Sequence, residues 1–204
     1  RCAPPAKAAA GWAATALLSL SMTYESSTNF YDHDSLYVSE LTPWVGPLEG
    51  GTRVQVLGSN FKDGGYWKCR FKDGTKVVNA RFVDSNQLEC SSPAMTTTGS
   101  KDVEVSMNAQ QFTDLDVAFE YQAKARVSSV TPAQGMREGA TLVTVNGGSF
   151  SARSAALSYL HCRFNTTVVR AERYDAAKVV CKPTSMSAGY ATVEVSNNMR
   201  EYSA

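Results

Sequence analysis

Apolar and polar residues alternate with a period of two along several short stretches of the chain. The alternation is clear at residues 54–56, 103–105 and 119–121, and it is typical of strands that bury one face. Clusters of glycine, asparagine, aspartate and serine separate these stretches, and such clusters favour turns. One of them, Asp73-Gly74, is expected to close a hairpin. Short strands separated in this way predict an all-β sandwich.

The same pattern occurs twice, at an offset of 89 positions. Residues 38–61 are matched by residues 127–150, including a Thr-Pro pair, a Glu-Gly-x-Thr motif and a Val-x-Val strand. In each copy a Cys-Arg-Phe triplet, a second cysteine and a Val-Glu-Val-Ser strand follow. The N-terminal residues fit the second half of the same repeat. We therefore expect three domains, namely residues 1–34 as the C-terminal part of a truncated repeat, 35–123 as a complete repeat, and 124–204 as a repeat without its last strand.

The five cysteines find their places once the repeats are aligned. The repeats pair Cys69 with Cys90 and Cys162 with Cys181, at separations of 21 and 19 residues. Cys2 occupies the position of Cys90 in its own repeat, so its partner is expected upstream of this sequence. Zinc is the rival use of such thiols, but the chain has no Cys-x-x-Cys pair and only two histidines, so no metal site is predicted. Disulfides indicate an oxidising compartment.

Composition and charge exclude several classes of function. The formal net charge is +1 with dispersed lysines and arginines, which argues against a nucleic-acid partner. No apolar run is long enough to predict a membrane span in this chain. Residues 8–20 are rich in alanine and leucine and could pass for a signal peptide, although the repeat explains them better. Neither His33 nor His161 lies in a catalytic motif, so neither an enzymatic activity nor a cofactor is predicted.

The motifs together resemble a known family. Residues 38–93 contain Val-x-x-x-Thr-Pro-x-x-Gly, then Glu-Gly-Gly-Thr-x-Val-x-Val-x-Gly-x-x-Phe, then Cys-x-Phe and Cys-x-x-Pro, and this series resembles an IPT/TIG domain. The series repeats from Val127, with Ala140 in place of the second glycine and a longer loop at 151–160 that is expected to change only loop shape. The resemblance implies tandem immunoglobulin-like β-sandwich domains of the early type. It also implies a setting like the disulfide-bearing stalks of plexins or the long arrays of fibrocystin-like surface proteins.

The expected function follows from this setting. We expect a non-enzymatic structural or adhesive segment of a large extracellular or cell-surface multi-repeat protein, with the ciliary surface as one such location. Its expected partners are other repeats of the same chain, proteins of the cell surface or matrix, and a glycan. Two alternatives stay open: a ligand-binding stalk of a plexin-like receptor ectodomain, and an accessory carbohydrate-binding module of a secreted glycan-active enzyme.

A few residues are candidates for contacts or modification. Asn165 begins an Asn-Thr-Thr sequon and is expected to carry a glycan. Tyr66 and Trp67 precede Cys69 in a loop and are candidate partner contacts, with core packing favoured for Trp67. Trp44 is expected to pack against the preceding domain. The acidic linker at residues 32–34 could hold Ca²⁺, but a solvated linker is the favoured interpretation.

Overall fold

The computed structural model describes residues 14–19, 25–30, 34–72 and 76–203, with the backbone alone for the first two ranges. The sequence expectations for Cys2, Asp32, His33 and Asp73-Gly74 lie outside the described residues. Residues Arg1–Ser35 and Leu36–Ala204 form separate compact units. In the first unit, β1 (Ala14–Ser19) pairs antiparallel with β2 (Glu25–Phe30).

The first strand group of the second unit is an eight-stranded arrangement in which β7 joins two layers. The strands are β3 (Tyr37–Thr42), β4 (Val45–Pro47), β5 (Arg53–Ser59), β6 (Lys68–Phe71), β7 (Lys76–Asp84), β8 (Gln87–Ser91), β9 (Gly99–Ser106) and β10 (Ala118–Gln122). Their order is β3-β5-β8-β7-β6-β9-β10-β4, and only the β10–β4 pairing is parallel. The start of β7 pairs with β6 and its end pairs with β8, so the chain passes from one layer to the other within this strand.

The core of this sandwich lies between the two layers. The inward positions of β5, β6, β8 and β10 alternate with more exposed ones, as the period-two pattern predicts. Phe71, Phe119 and Tyr121 pack edge to face, with ring centroids 5.0–6.2 Å apart. Cys69 on β6 is bonded to Cys90 on β8, with 6.5 Å between the Cα atoms. This disulfide therefore joins the two layers through the core.

The second strand group repeats the arrangement. Its elements are β11 (Arg126–Thr131), β12 (Val143–Gly148), α1 (Ala152–Ala156), β13 (His161–Phe164), β14 (Thr167–Tyr174), β15 (Lys178–Cys181) and β16 (Val193–Ser196). The strand order is β11-β12-β15-β14-β13-β16, and β14 changes layers as β7 does. Cys162 on β13 is bonded to Cys181 on β15, with Cα atoms 6.3 Å apart. The predicted all-β sandwich fold is confirmed.

The longer loop at residues 151–160 differs from expectation. It contains the helix α1, which Ser151 caps by accepting a hydrogen bond from the Ser154 N–H at 3.1 Å. The insertion thus contains a short helix that the sequence did not predict, while the strand order around it is unchanged. In the described part of the chain, no helix has the length and apolar character needed to cross a membrane.

Candidate functional site

The two strand groups of the second unit meet through a turn that one asparagine organises. The side chain of Asn198 accepts hydrogen bonds from the N–H groups of Arg200 and Glu201 at 3.0 and 3.1 Å. The hydroxyl of Ser196 accepts from the Asn198 N–H at 3.2 Å. Such side-chain to backbone bonds fix a turn without regular secondary structure. We call residues 196–203 the Asn198 turn.

The Asn198 turn inserts into the end of the preceding strand group. Asn198 Nδ2 donates to the backbone carbonyl of Val45 at 3.0 Å, and Thr52 Oγ1 donates to Glu201 Oε2 at 3.0 Å. Asn198, Val45 and Thr52 have exposed fractions of 4%, 1% and 0%. A buried polar group that lacks a hydrogen-bond partner lowers stability. These two bonds therefore favour the one arrangement of the two repeats in which both are formed.

A second contact involves the insertion helix α1. The guanidinium of Arg153 lies over the Trp44 ring, 4.1 Å from its centroid, and its Nη1 lies 3.0 Å from Glu120 Oε2. The ring of Tyr159 approaches Trp44 with centroids 6.1 Å apart. This is a cation–π contact reinforced by an ion pair and a second aromatic ring. Trp44 thus packs against the strand group that follows it, whereas the sequence led us to expect the preceding one.

A polar chain connects these two contacts along the linker between the strand groups. Gln122 Nε2 donates to Glu120 Oε1 at 2.7 Å and to Ser151 Oγ at 2.9 Å. The Ser151 N–H donates to Asn197 Oδ1 at 3.1 Å. Ser151 therefore caps α1 and also bonds to the end of β10 and to the Asn198 turn. We refer to these contacts together as the repeat junction.

Small residues and short connections make the close approach possible. A Cβ atom on Gly46 would lie 2.5 Å from Thr52 Oγ1 and 2.7 Å from the Phe119 ring, so no larger residue fits there. Residues 123–125 are all that separate β10 from β11, and a connection this short keeps neighbouring domains in contact. A cleft also lies at the repeat junction, and it is lined by Val45–Pro47, residues 122–125 and the Asn198 turn.

Burial opposes the ionisation of two tyrosine hydroxyl groups. Tyr121 donates its hydroxyl hydrogen to the Pro93 carbonyl at 3.0 Å, and burial raises the pKa of this phenol well above its usual range. Burial also raises the pKa of Tyr202, whose ring stacks on Arg163 at 4.0 Å. Both side chains act as neutral packing groups, and Tyr121 is also a hydrogen-bond donor.

The residues that the sequence singled out lie in different surroundings. Tyr66 is 81% exposed, whereas Trp67 is only 4% exposed, packs edge to face on Phe61 and donates its Nε1–H to the Lys62 carbonyl. The idea that Trp67 contacts a partner is therefore wrong, since its ring completes the core. Asn165 is exposed, and its Oδ1 accepts from the Thr192 N–H and hydroxyl. Both of these hydrogen bonds involve Oδ1 of Asn165 and neither involves its Nδ2.

Among the described residues outside the junction, His161 and Asp34 lie apart from any group of side chains suited to hold a metal ion. No cluster of three or more His, Cys, Asp or Glu side chains suited to a metal is found in the ranges described above. His161 uses Nδ1 to contact the Tyr159 carbonyl at 3.1 Å, and Asp34 is exposed. The surface with the most specific geometry is the repeat junction.

Sequence reasoning missed the residues that form this junction. Asn198, Glu201, Thr52 and Arg153 are polar and lie near turns, where solvent exposure is the ordinary expectation. A signal was nevertheless present, because Ser-x-Asn-x-x-Glu at 196–201 is matched by Ser-x-Asn-x-x-Gln at 106–111. A polar motif that recurs at the same place in both repeats indicates a shared structural role.

Comparison with known proteins supports the repeat assignment. The family model of the IPT/TIG domain matches residues 36–121 and again residues 125–203. Plexin-2 of Caenorhabditis elegans is 30% identical over 135 residues, or 66% of this chain, and Plexin-2 of Caenorhabditis briggsae is 28% identical over 140 residues, or 68%. In each case the match covers only 8% of the relative's length.

A solved structure shows the same fold. The full extracellular region of Plexin A4, domains 1 to 10, superposes with a TM-score of 0.53 at 20% identity, covering 81% of this chain and 14% of that one. The resemblance read from the sequence motifs is confirmed by the family model, which matches both repeats. The chain belongs to the IPT/TIG domain family, with an immunoglobulin-like β-sandwich in each repeat.

Proposed function

We propose that this chain is a non-enzymatic segment of an extracellular or cell-surface protein, in which consecutive IPT/TIG repeats are held at a fixed angle. Its role is that of a spacer and a scaffold for protein interactions. The boundaries 1–34, 35–123 and 124–204 are part of this proposal, as is a disulfide from Cys2 to a cysteine upstream.

The observation that carries the proposal is the repeat junction. Two flexibly linked domains need no buried contact between them, and relative motion is the ordinary expectation for small interfaces within a chain. Here Asn198 and Thr52, both buried, make hydrogen bonds that exist in only one arrangement of the two repeats. Bonds of this kind suit a protein that must transmit position or force along its length.

The extracellular setting rests on two further observations. Each repeat carries a disulfide through its core, and such bonds persist in oxidising compartments. The similar proteins include several plexins, and the solved structure that matches is named as a plexin extracellular region. This chain spans less than a tenth of the length of its curated plexin relatives. A receptor stalk is therefore proposed for the surrounding protein on the basis of its similarity to plexins alone.

The chain offers surfaces for a partner or a sugar at known positions. Asn165 lies exposed at the turn between β13 and β14, and we propose that it carries an N-linked glycan. In β13, His161 pairs with Ser196 at the start of the Asn198 turn, whereas Asn165 follows the other end of the strand, so a glycan there would lie away from the repeat junction. Proteins of the cell surface or matrix are the proposed partners.

Surface labelling of intact cells tests this proposal. Cells that produce the native protein are treated with a membrane-impermeant amine reagent, and the cysteines are then mapped without reduction. We expect labelled lysines, a Cys69–Cys90 peptide and a Cys162–Cys181 peptide. Protein that is labelled only after the cells are permeabilised, with these four cysteines free, would contradict an extracellular role.

A further inference from the structure

The two repeats present equivalent loops at the end that precedes β6 and β13. The carbonyl of Trp67 accepts from the Ala80 N–H at 3.0 Å, and the carbonyl of Leu160 accepts from the Ala171 N–H at 3.0 Å. Trp67 and Leu160 are both buried, at 4% and 1% exposure. The residue before each is a tyrosine, so Tyr66 in the first repeat is the equivalent of Tyr159 in the second.

The two repeats also share the turn that follows β9 and β16. Asn108 accepts from the N–H groups of Gln110 and Gln111 at 2.9 and 3.1 Å, and the Ser106 hydroxyl accepts from the Asn108 N–H. We call residues 106–113 the Asn108 turn. Its bonds reproduce those of the Asn198 turn, and Ala109 has a φ of 60° where Met199 has 61°. The turn is thus formed in both repeats.

The two loops lie at the same end of the first repeat. A Cβ atom on Gly65 would lie 2.5 Å from Met107 Cγ, so the loop that carries Tyr66 contacts the start of the Asn108 turn. In the second repeat, Ser151 of the loop that leads to Tyr159 donates its N–H to Asn197, the counterpart of Met107. Tyr66 and the Asn108 turn therefore form one face, as Tyr159 and the Asn198 turn do.

The equivalent faces differ in what covers them. In the second repeat, Tyr159 packs on Trp44 and Asn198 is 4% exposed, because the first repeat covers both. In the first repeat, Tyr66 is 81% exposed, and Asn108 and Gln111 are exposed as well. A fully formed copy of the docking face is therefore left uncovered by the other residues of 36–203 that the structure describes.

We propose that Tyr66, Asn108 and Gln111 form a docking face for the end of another IPT/TIG repeat. The occupant should present the same groups that the first repeat presents to the second at the repeat junction. These groups are an aromatic ring like Trp44, a backbone carbonyl like that of Val45, and a hydroxyl like that of Thr52. Gln111 stands where Glu201 stands, and its side-chain oxygen accepts a threonine hydroxyl as a carboxylate does. The inference rests on the proposed function, because it needs a protein with more repeats than these two.

Hydroxyl-radical footprinting of the purified, monomeric native protein tests this inference with controls inside the same molecule. Tyr190 is 106% exposed and reports an uncovered ring, while Tyr159 reports a ring covered at the repeat junction. We expect Tyr66 to be oxidised several-fold more slowly than Tyr190, at a rate close to that of Tyr159. If Tyr66 reacts as fast as Tyr190 while Tyr159 stays protected, the docking face is refuted and the proposed function stands. If Tyr159 also reacts like Tyr190, the repeat junction itself is refuted.

Photo-cross-linking identifies what covers Tyr66. The native protein is produced with p-benzoylphenylalanine in place of Tyr66, irradiated as a monomer and mapped by mass spectrometry. We expect an intramolecular cross-link to a segment of another repeat that aligns with residues 44–52. Absence of an intramolecular cross-link overturns the proposal, and so does recovery of Tyr66 oxidation after enzymatic removal of glycans, which would assign the face to a sugar.

Discussion

Replacing Asn198 by alanine isolates the contribution of the repeat junction, because the chain contains its own control. In the 204-residue chain by itself, Asn108→Ala removes the same bonds within a turn, but Asn108 is exposed there and makes no described contact with another repeat. The Asn198→Ala variant additionally loses the 3.0 Å bond to the Val45 carbonyl. Any excess destabilisation therefore reports the junction rather than the turn.

The size of the excess follows from burial. Val45 is 1% exposed and Asn198 is 4% exposed, so water does not readily replace the lost donor, and a buried carbonyl left unpaired costs about 1–3 kcal/mol. A loss of that size corresponds to about a 5- to 150-fold change in an equilibrium constant. We therefore expect Asn198→Ala to lower the free energy of unfolding of its repeat by about 1–3 kcal/mol more than Asn108→Ala lowers that of the first repeat.

Hydrogen exchange in increasing urea measures the free energy of unfolding of each repeat separately in each variant and in the unmodified chain. Core amides of β13 and β15 report unfolding of the second repeat, and those of β6 and β8 report unfolding of the first. Equal losses in the two variants, or a larger loss for Asn108→Ala, would refute the reasoning, since the turn alone would then account for the effect.

Three further predictions concern single residues. Gly46→Ala should destabilise the first repeat by about 1–3 kcal/mol through overpacking, because the added Cβ would lie 2.5 Å from Thr52 Oγ1; an unchanged urea midpoint would contradict this packing. Tyr121→Phe should remove a pH dependence: the unfolded phenol ionises near its ordinary pKa of about 10, whereas burial raises the folded pKa. The stability of the first repeat, which is complete below that pH, therefore falls as the pH rises past it in the native chain and falls less in the variant. Parallel losses of stability above that pH in both proteins would show that another group is responsible. Asn165→Gln, in protein secreted from eukaryotic cells, should remove one N-glycan from the intact mass, with Asn146→Gln as a control outside any sequon; identical masses after enzymatic deglycosylation and before it would show that Asn165 is unmodified.

The architecture was predictable from the sequence because it depends on patterns that occur along single strands. Alternation at residues 54–56 and 119–121 follows directly from the pleat of a strand with one buried face. The match between 38–61 and 127–150 then carries the assignment from one repeat to the next. These signals are local, and they survive without knowledge of neighbouring domains.

The repeat junction was less predictable because its residues obey the rules for exposed turns. Asn198 fixes its own turn in the same way whether or not another repeat covers it, as Asn108 shows. Trp44 is an aromatic residue at a domain boundary, and nothing in its local sequence states which neighbour it contacts. The helix α1 lies in an insertion without a counterpart in the first repeat, so the comparison of repeats could not place Arg153.

Burial of Trp67 was the favoured sequence interpretation, but the candidate contact beside it needed the structure. Adjacent residues in a loop point in different directions, so Tyr66 is exposed while Trp67 fills the core. The alignment of the two Cys-Arg-Phe triplets makes Tyr66 the equivalent of Tyr159, and the matching backbone hydrogen bonds of Trp67 and Leu160 agree with it.

The central claim, that the junction fixes the angle between the two repeats, is tested most directly by residual dipolar couplings in solution. Couplings are measured for backbone amides of residues 36–121 and 125–203 and fitted to the structure of each repeat separately. We predict one common alignment tensor for both repeats, and two diverging tensors in the Trp44→Ala, Asn198→Ala double variant. Two different tensors in the unmodified chain would contradict the account, because the repeats would then move independently.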